Sequence, residues 1–433
     1  MHRLMTRRPR TRLSASTPQL LAGCLSLAVL TACGGADQVA SADVTVFEGA
    51  RLITGTGEVI DDAVFVVDGD RFTQVGAMAD EDVPVGATVV DLAGRTVIPA
   101  IVNAHIHLSS DAAERAQQLR HMAYYGAGTV VSLGLDEGST AFEMAGVSVE
   151  DGARSFTAGR GITGPEPGRS EVPYWVTTPD EARTAVQELA SQDADIVKIW
   201  VDDRGGQYER LSPDLYGAVI DEAHAHDLKV TAHIFRLEDA KGLLRAGIDA
   251  FAHGIRDGDV DDEVIGLWLE RPNVVLVPNL PGPGVPVDMT WISTLPPERV
   301  QEMQDGQQAR PAVQEAFGIQ ARNLARLDDE GITIAFGTDG STPWAVHHEM
   351  EDMVRSGMSA ADVIVAATSS SAALMELDDV GAIAPGMSAD FIVLGADPLD
   401  DIRNTRRIEA VYLRGTAIDR EAIRAEAMGA GGA

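Results

Sequence analysis

The sequence predicts an α/β protein: a (β/α)8 TIM barrel over residues 97–377, with a small β-sandwich built from the N- and C-terminal segments, 43–96 and 378–421. Three observations carry this. Between 97 and 377, short apolar runs alternate with helical patterns, the mark of repeated parallel strand–helix units. At both ends lie β-type runs broken by Gly, Asp and Pro, and neither set is large enough to stand alone. A chain of 433 residues buries a large core, enough for a barrel and an accessory domain.

Residues 1–33 are set apart from the fold. Arginines at 3, 7, 8, 10 and 12 precede the apolar run Leu20 to Leu30, too short to span a bilayer and expected as the core of a signal peptide. It closes on Leu30-Thr31-Ala32-Cys33-Gly34, which resembles a bacterial lipobox. The expectation is an exported bacterial lipoprotein, periplasmic or on the cell surface, held to the membrane only through lipid on Cys33. Cys24 leaves with the signal, so the mature chain has no disulfide. Residues 34–42 read as a linker.

The N-terminal β-runs are Val44–Phe47, Ala63–Val67, Phe72–Val75 and Thr88–Leu92. Barrel strands are expected near 97–103, 128–133, 154–158, 195–200, 229–233, 249–252, 273–277 and 332–336. Helices are expected at Asp180–Ser191, Pro213–His226 and Leu237–Ala246, the last capped by Gly247. The run Ile383–Leu394 and the run Ile408–Leu413 supply the C-terminal β-segment, and residues 422–433, ending Gly/Ala-rich, read as a tail.

In such barrels chemistry sits at the C-terminal ends of the strands, so the polar residues that end each apolar run are the candidates. They are His105, His107, Lys198, His233, His253 and Asp339. His105 and His107 close the first strand, and strand alternation points both to one face, roughly 7 Å apart along the chain. Lys198 lies within Asp195-Ile196-Val197-Lys198-Ile199-Trp200, and a buried strand rarely carries an ammonium without a task. Singly, each histidine fits a hydrogen-bonded core position and Asp339 a turn. As an ordered set over strands 1, 4, 5, 6 and 8, they point to one centre.

The order of these motifs resembles the amidohydrolase superfamily, in its imidazolonepropionase-like and prolidase-like branch. The resemblance runs from the N-terminal β-run to a closing Gly-x-Ile-x-x-Gly-x-x-Ala-Asp-x-x-Val-Leu segment at 381–394. Asn103 departs from it, standing where many relatives have Asp before the two histidines. The resemblance implies two divalent metal ions, Zn first among the candidates: His105, His107 and Asp339 on one, His233 and His253 on the other, with carbamylated Lys198 bridging them. A carbamate offers two anionic oxygens to cations roughly 3.5–4 Å apart, which a neutral amine cannot. The implied function is cleavage of an amide bond of a dipeptide or N-acyl amino acid by a hydroxide held between the metals, with Asp339 as catalytic proton shuttle.

The rivals are a cyclic amide or lactone hydrolase, a deaminase, and a non-catalytic binding protein on the same scaffold. Lys198 counts against the deaminase, since deaminases of the superfamily usually lack that lysine, and the complete ligand set counts against the binding protein. Substrate contacts are expected from loops after the strands: Arg160, Tyr174, Arg204, Tyr208, Arg236 and His348, with a substrate carboxylate as a fitting partner for an arginine. The loop Pro278–Pro296, with Trp291, is expected as a lid or an oligomer contact, and a homo-oligomer is expected. His224, His226 and His121 are expected in surface or packing roles. A net charge of −32 excludes nucleic acid and anionic lipid surfaces as partners.

Overall fold

The computed structural model describes residues 44–80, 84 and 86–430. The segments read as signal peptide and linker, residues 1–33 and 34–42, and with them both cysteines, lie outside the described residues. Strands β1 (Val44–Ile53), β2 (Val59–Asp68), β3 (Arg71–Ala77), β4 (Thr88–Asp91) and β5 (Thr96–Pro99) come first. Then follow β6 (Ile101–Ile106), β7 (Ala127–Ser132), β8 (Arg154–Thr157), β9 (Ile162–Thr163), β10 (Tyr174–Trp175), β11 (Val197–Trp200), β12 (Val230–His233), β13 (Ala250–Ala252) and β14 (Val275–Val277). β15 (Phe391–Leu394), β16 (Ile408–Leu413) and β17 (Thr416–Ala417) close the series.

The two ends of the chain join in one hydrogen-bonded sheet of eight strands, in the order β17-β16-β15-β5-β1-β2-β3 with β4 also on β1. β5 is the hinge of this arrangement: it pairs in parallel with β1 and antiparallel with β15. Alternation along β1, β2 and β15 turns Phe47, Phe65 and Phe391 to one side. There Phe47 stacks on Phe65 at 4.9 Å and meets Phe391 edge-on at 5.1 Å, while Phe391 stacks on Tyr412 at 4.5 Å. Both ends of the chain thus share a single aromatic core, which explains why neither set of β-runs suffices alone.

The middle of the chain has a TIM-barrel-like α/β fold. β6, β7 and β8 pair in parallel, as do β9, β11, β12, β13 and β14. The N–H of Asp195 donates to the Thr157 carbonyl at 2.9 Å, linking the two groups. Beyond β14, Leu276 and the run Ile332–Phe336 exchange backbone hydrogen bonds, and the Ala104 N–H donates to Phe336 at 2.9 Å, back on β6. The expected eighth run is therefore present only as bridging backbone, with an isolated bridge between Leu276 and Ile334. Helices flank these strands. Pro179–Ser191 opens on a Thr178/Glu181 capping box, and Leu237–Ala246 ends where Gly247 takes φ +101° and its N–H donates to Leu243.

One expectation is corrected. The segment read as a tail from 422 is helical over Arg420–Ala430. Ile423 and Ala427, four residues apart, are buried on one face, and Glu426 pairs with Arg120 at 2.6 Å. Among the described residues no helix is long and apolar enough to cross a membrane.

Candidate metal centre

Parallel strands bring their C-terminal ends to one side, and the candidate ligands meet there. His105, in β6, is 1% exposed, and its ring lies 5.3 Å from that of His107. The chain beyond Phe336 folds over this pair because the N–H groups of Thr338 and Asp339 both donate to the His105 carbonyl, at 3.1 and 2.9 Å. Asp339 Oδ1 thereby comes within 3.0 Å of His107 Nε2 and 3.4 Å of His105 Nε2. One ligand atom from each of these three residues falls within 4.8 Å of the others.

His253 follows β13 directly, and its N–H donates to the Val277 carbonyl at 2.9 Å. Its ring is 5.2 Å from His105 and 4.5 Å from His233, and its Nε2 is 3.6 Å from Asp339 Oδ2. His233 ends β12, opposite Trp200 of β11. Lys198, two residues before Trp200, is wholly buried, and its Nζ finds no hydrogen-bond partner among the described residues.

The electrostatics follow from burial. Desolvation pushes the Lys198 ammonium down to about 7, against the pull of Asp339 and with the push of Arg204. Burial likewise drives His105 and His253 far below the ordinary histidine range, helped by Lys198 for the first and by His233 for the second. His233 is lowered to about 4, again by burial first, with Asp202 opposing. The buried rings are neutral at pH 7, with nitrogen lone pairs to offer. Burial raises Asp339, but the hydrogen bond from His107 opposes it and the pKa is lowered on balance, so the carboxylate stays ionised.

The backbone is strained in the same place. Arg204, His253, Asn279 and Asp339 hold φ of 52°, 79°, 44° and 52°. Left-handed backbone at a residue other than glycine costs on the order of 1–3 kcal/mol and gathers where function demands a fixed direction. Gly337 meets a related need: a Cβ there would lie 2.7 Å from both His105 Cβ and Val277 Cγ1. The neutral His105 ring, the His107 ring, an ionised carboxylate and a buried amine with no hydrogen-bond partner among the described residues fit a divalent cation held by His105, His107 and Asp339.

The loop residues expected to contact substrate divide. Arg204 reaches the site, donating to Asp202 at 2.8 Å, to Glu166 at 3.0 Å and to His233 Nε2 at 3.2 Å. The others are occupied elsewhere. Arg160 donates to the Val172 carbonyl and covers the Tyr174 ring, so both belong to the wall of their own loop. The Tyr208 hydroxyl donates to Pro167 at 3.1 Å, and Arg236 pairs with Asp203 at 2.7 Å. His348 packs edge-on against Trp291 at 5.5 Å, and burial lowers its pKa to about 4. Trp291 itself lies under Arg406 and beside Tyr125, while the hydroxyls of Tyr124 and Tyr125 reach Ser293 and Thr294 at 2.7 Å. The far end of the Pro278–Pro296 loop is thus fastened to the body. His224 and His226 pair with Asp249 and Glu222 on the surface.

Three neighbours of the site escaped the sequence reading. Asn279 accepts from His105 Nδ1 at 2.8 Å, Asp202 lies 3.2 Å from His233 Nε2, and Arg256 covers the Phe235 ring. Asn279 and Asp202 each follow an apolar strand closely, so the rule that found the ligands also reaches them.

The sequence pattern described as the amidohydrolase family matches residues 96–418. An uncharacterized protein of Mycobacterium tuberculosis is 31% identical over 239 residues, spanning 51% of this chain and 59% of the relative's own length. The imidazolonepropionase of Streptomyces griseus is 25% identical over 78% of this chain and 87% of that enzyme. Among solved structures, a candidate prolidase from Bifidobacterium longum superposes with a TM-score of 0.73 at 26% identity, covering 89% of this chain and 99% of that one.

Proposed function

Since the chain belongs to the amidohydrolase family, we propose that it is a binuclear metal-dependent hydrolase cleaving the amide bond of a dipeptide or an N-acyl amino acid, on a closed (β/α)8 barrel. The observation that carries this reading is Lys198: a fully buried amine with no hydrogen-bond partner among the described residues, beside His105, His233, His253 and an ionised Asp339. Left as an ammonium it costs several kcal/mol of desolvation, whereas its neutral amine, on taking up carbon dioxide and losing a proton, would become a carbamate with two anionic oxygens to offer bound metal. His105, His107 and Asp339 would hold one ion, and His233 with His253 the other. When bound, the pair supplies an activated water and takes up the charge that develops on the carbonyl oxygen.

The residues of the chain do the rest. Asp339 keeps its proton-accepting form through the hydrogen bond from His107, and its side chain is 40% exposed. It accepts the proton released by attack and returns it to the leaving amine. Arg204, tied to Glu166 and Asp202, holds positive charge beside His233. A likeness to a candidate prolidase supports a substrate of dipeptide size. Export, lipidation of Cys33 and self-association complete the proposal. Elemental analysis of protein purified with added zinc tests it: two equivalents per chain are expected, and none would overturn it.

A further inference from the structure

Among the described residues, every other arginine near the site already has an anionic or carbonyl partner. Arg204 is held by Glu166 and Asp202, Arg236 by Asp203, Arg160 by loop carbonyls and the fully buried Arg115 by Asp136. Arg256 is the exception. No oxygen of the described residues accepts a hydrogen bond from its guanidinium, although the side chain is half-buried. The group lies over the Phe235 ring, and that ring in turn touches His233 at 4.4 Å and His253 at 5.4 Å. Its backbone N–H donates to the Phe235 carbonyl at 3.0 Å, which ties the loop after β13 to the loop after β12. The cation is therefore one aromatic ring away from two candidate metal ligands.

We propose that Arg256 is the specificity residue of this site, gripping a substrate carboxylate placed next to the scissile amide. The inference rests on the hydrolase reading above and narrows its substrate class. A guanidinium stacked on a ring keeps its in-plane N–H groups free, and their fork matches a carboxylate with two parallel hydrogen bonds. Burial lowers the Arg256 pKa to about 10, with Asp202 and Asp339 opposing, so the group remains charged at neutral pH while lacking water on one face. An incoming carboxylate supplies the missing counter-charge. Because the cation abuts the ring between His233 and His253, the carboxylate it binds sits close to the reacting carbonyl, as in an N-acyl α-amino acid or the C-terminal residue of a dipeptide.

The test compares each acid in a panel of dipeptides and N-acyl amino acids with its own carboxamide. For the best substrate, wild type should favour the acid about 10- to 100-fold in kcat/KM, the range expected of a charge-assisted pair. Arg256→Met should erase that preference through KM, lowering kcat/KM for the acid far more than for the carboxamide, keep the metal content, and weaken calorimetric binding of the released amino acid by the same factor as the lost preference. Should Arg256→Met lose metal, Arg256→Lys decides: a reduced acid preference at normal metal content supports the assignment, and an unchanged one overturns it. A wild-type enzyme indifferent to the carboxylate, or an Arg256→Met enzyme that keeps the preference, also overturns it. If wild type cleaves no member of the panel, the hydrolase reading itself fails.

Discussion

His105 and Asn279 share one buried hydrogen bond, 2.8 Å between the ring Nδ1 and the amide Oδ1. The amide oxygen accepts, so Nδ1 carries the proton and Nε2 faces Asp339 with its lone pair. Such a partner fixes both tautomer and ring direction, and losing one typically costs about 10- to 100-fold in metal affinity. Asn279→Ala is therefore expected to weaken metal binding by that order while the fold persists. A competition titration with a chromophoric chelator measures it, and unchanged affinity would remove Asn279 from the site.

Lys198→Ala is expected to retain at most one metal equivalent and lose most activity, with partial recovery when a short carboxylate and metal are added together. Full activity in that variant would exclude the carbamate bridge.

Gly337→Ala places a methyl 2.7 Å from His105 Cβ and 2.9 Å from Asn279 Nδ2. Overpacking of this kind costs about 1–3 kcal/mol. The variant should unfold at lower denaturant and bind metal more weakly. A wild-type midpoint would show that the strand has room.

How much of this was legible in the sequence depended on which rule each residue obeys. The six candidate ligands end apolar runs, and hydrophobic patterning locates such ends well. The helices from 180, 213 and 237 were legible in their helical patterns, the last also through Gly247 at its end. Arg160, Tyr174, Tyr208 and Arg236 could not be placed that way, because a loop side chain goes wherever the nearest carbonyl or carboxylate takes it. Arg256 was invisible for the opposite reason: its significance is the lack of a partner, a property only the folded chain has. The helix at 420 was hidden by its Gly/Ala ending, which masked the spacing of Ile423 and Ala427.

Acid should destabilise the fold through His347. This ring is buried, with Thr405 Oγ1 at 3.0 Å from Nδ1, and burial, aided by Arg406, His348 and Arg420, lowers its pKa to about 3. The folded-state value lies below the unfolded one, so the unfolded chain binds the proton first. The contribution is complete above about pH 6.5 and fades as pH falls toward 3, at up to about 1.4 kcal/mol per unit. Denaturant titrations between pH 7 and 4 should show a shallower slope for His347→Asn than for wild type. Equal slopes would assign the acid sensitivity to other groups.

Cys33→Ser should move the protein from the membrane fraction to the soluble exported fraction. Unchanged membrane retention would count against the lipobox.

The most direct measurement is amine release from dipeptides and N-acyl amino acids, with acid release from lactones read in parallel, by the zinc-loaded protein beside a chelated control. The account predicts cleavage of one amide series, abolished by the chelator and restored by zinc. Amide cleavage that survives complete metal removal, or turnover of lactones alone, would contradict it.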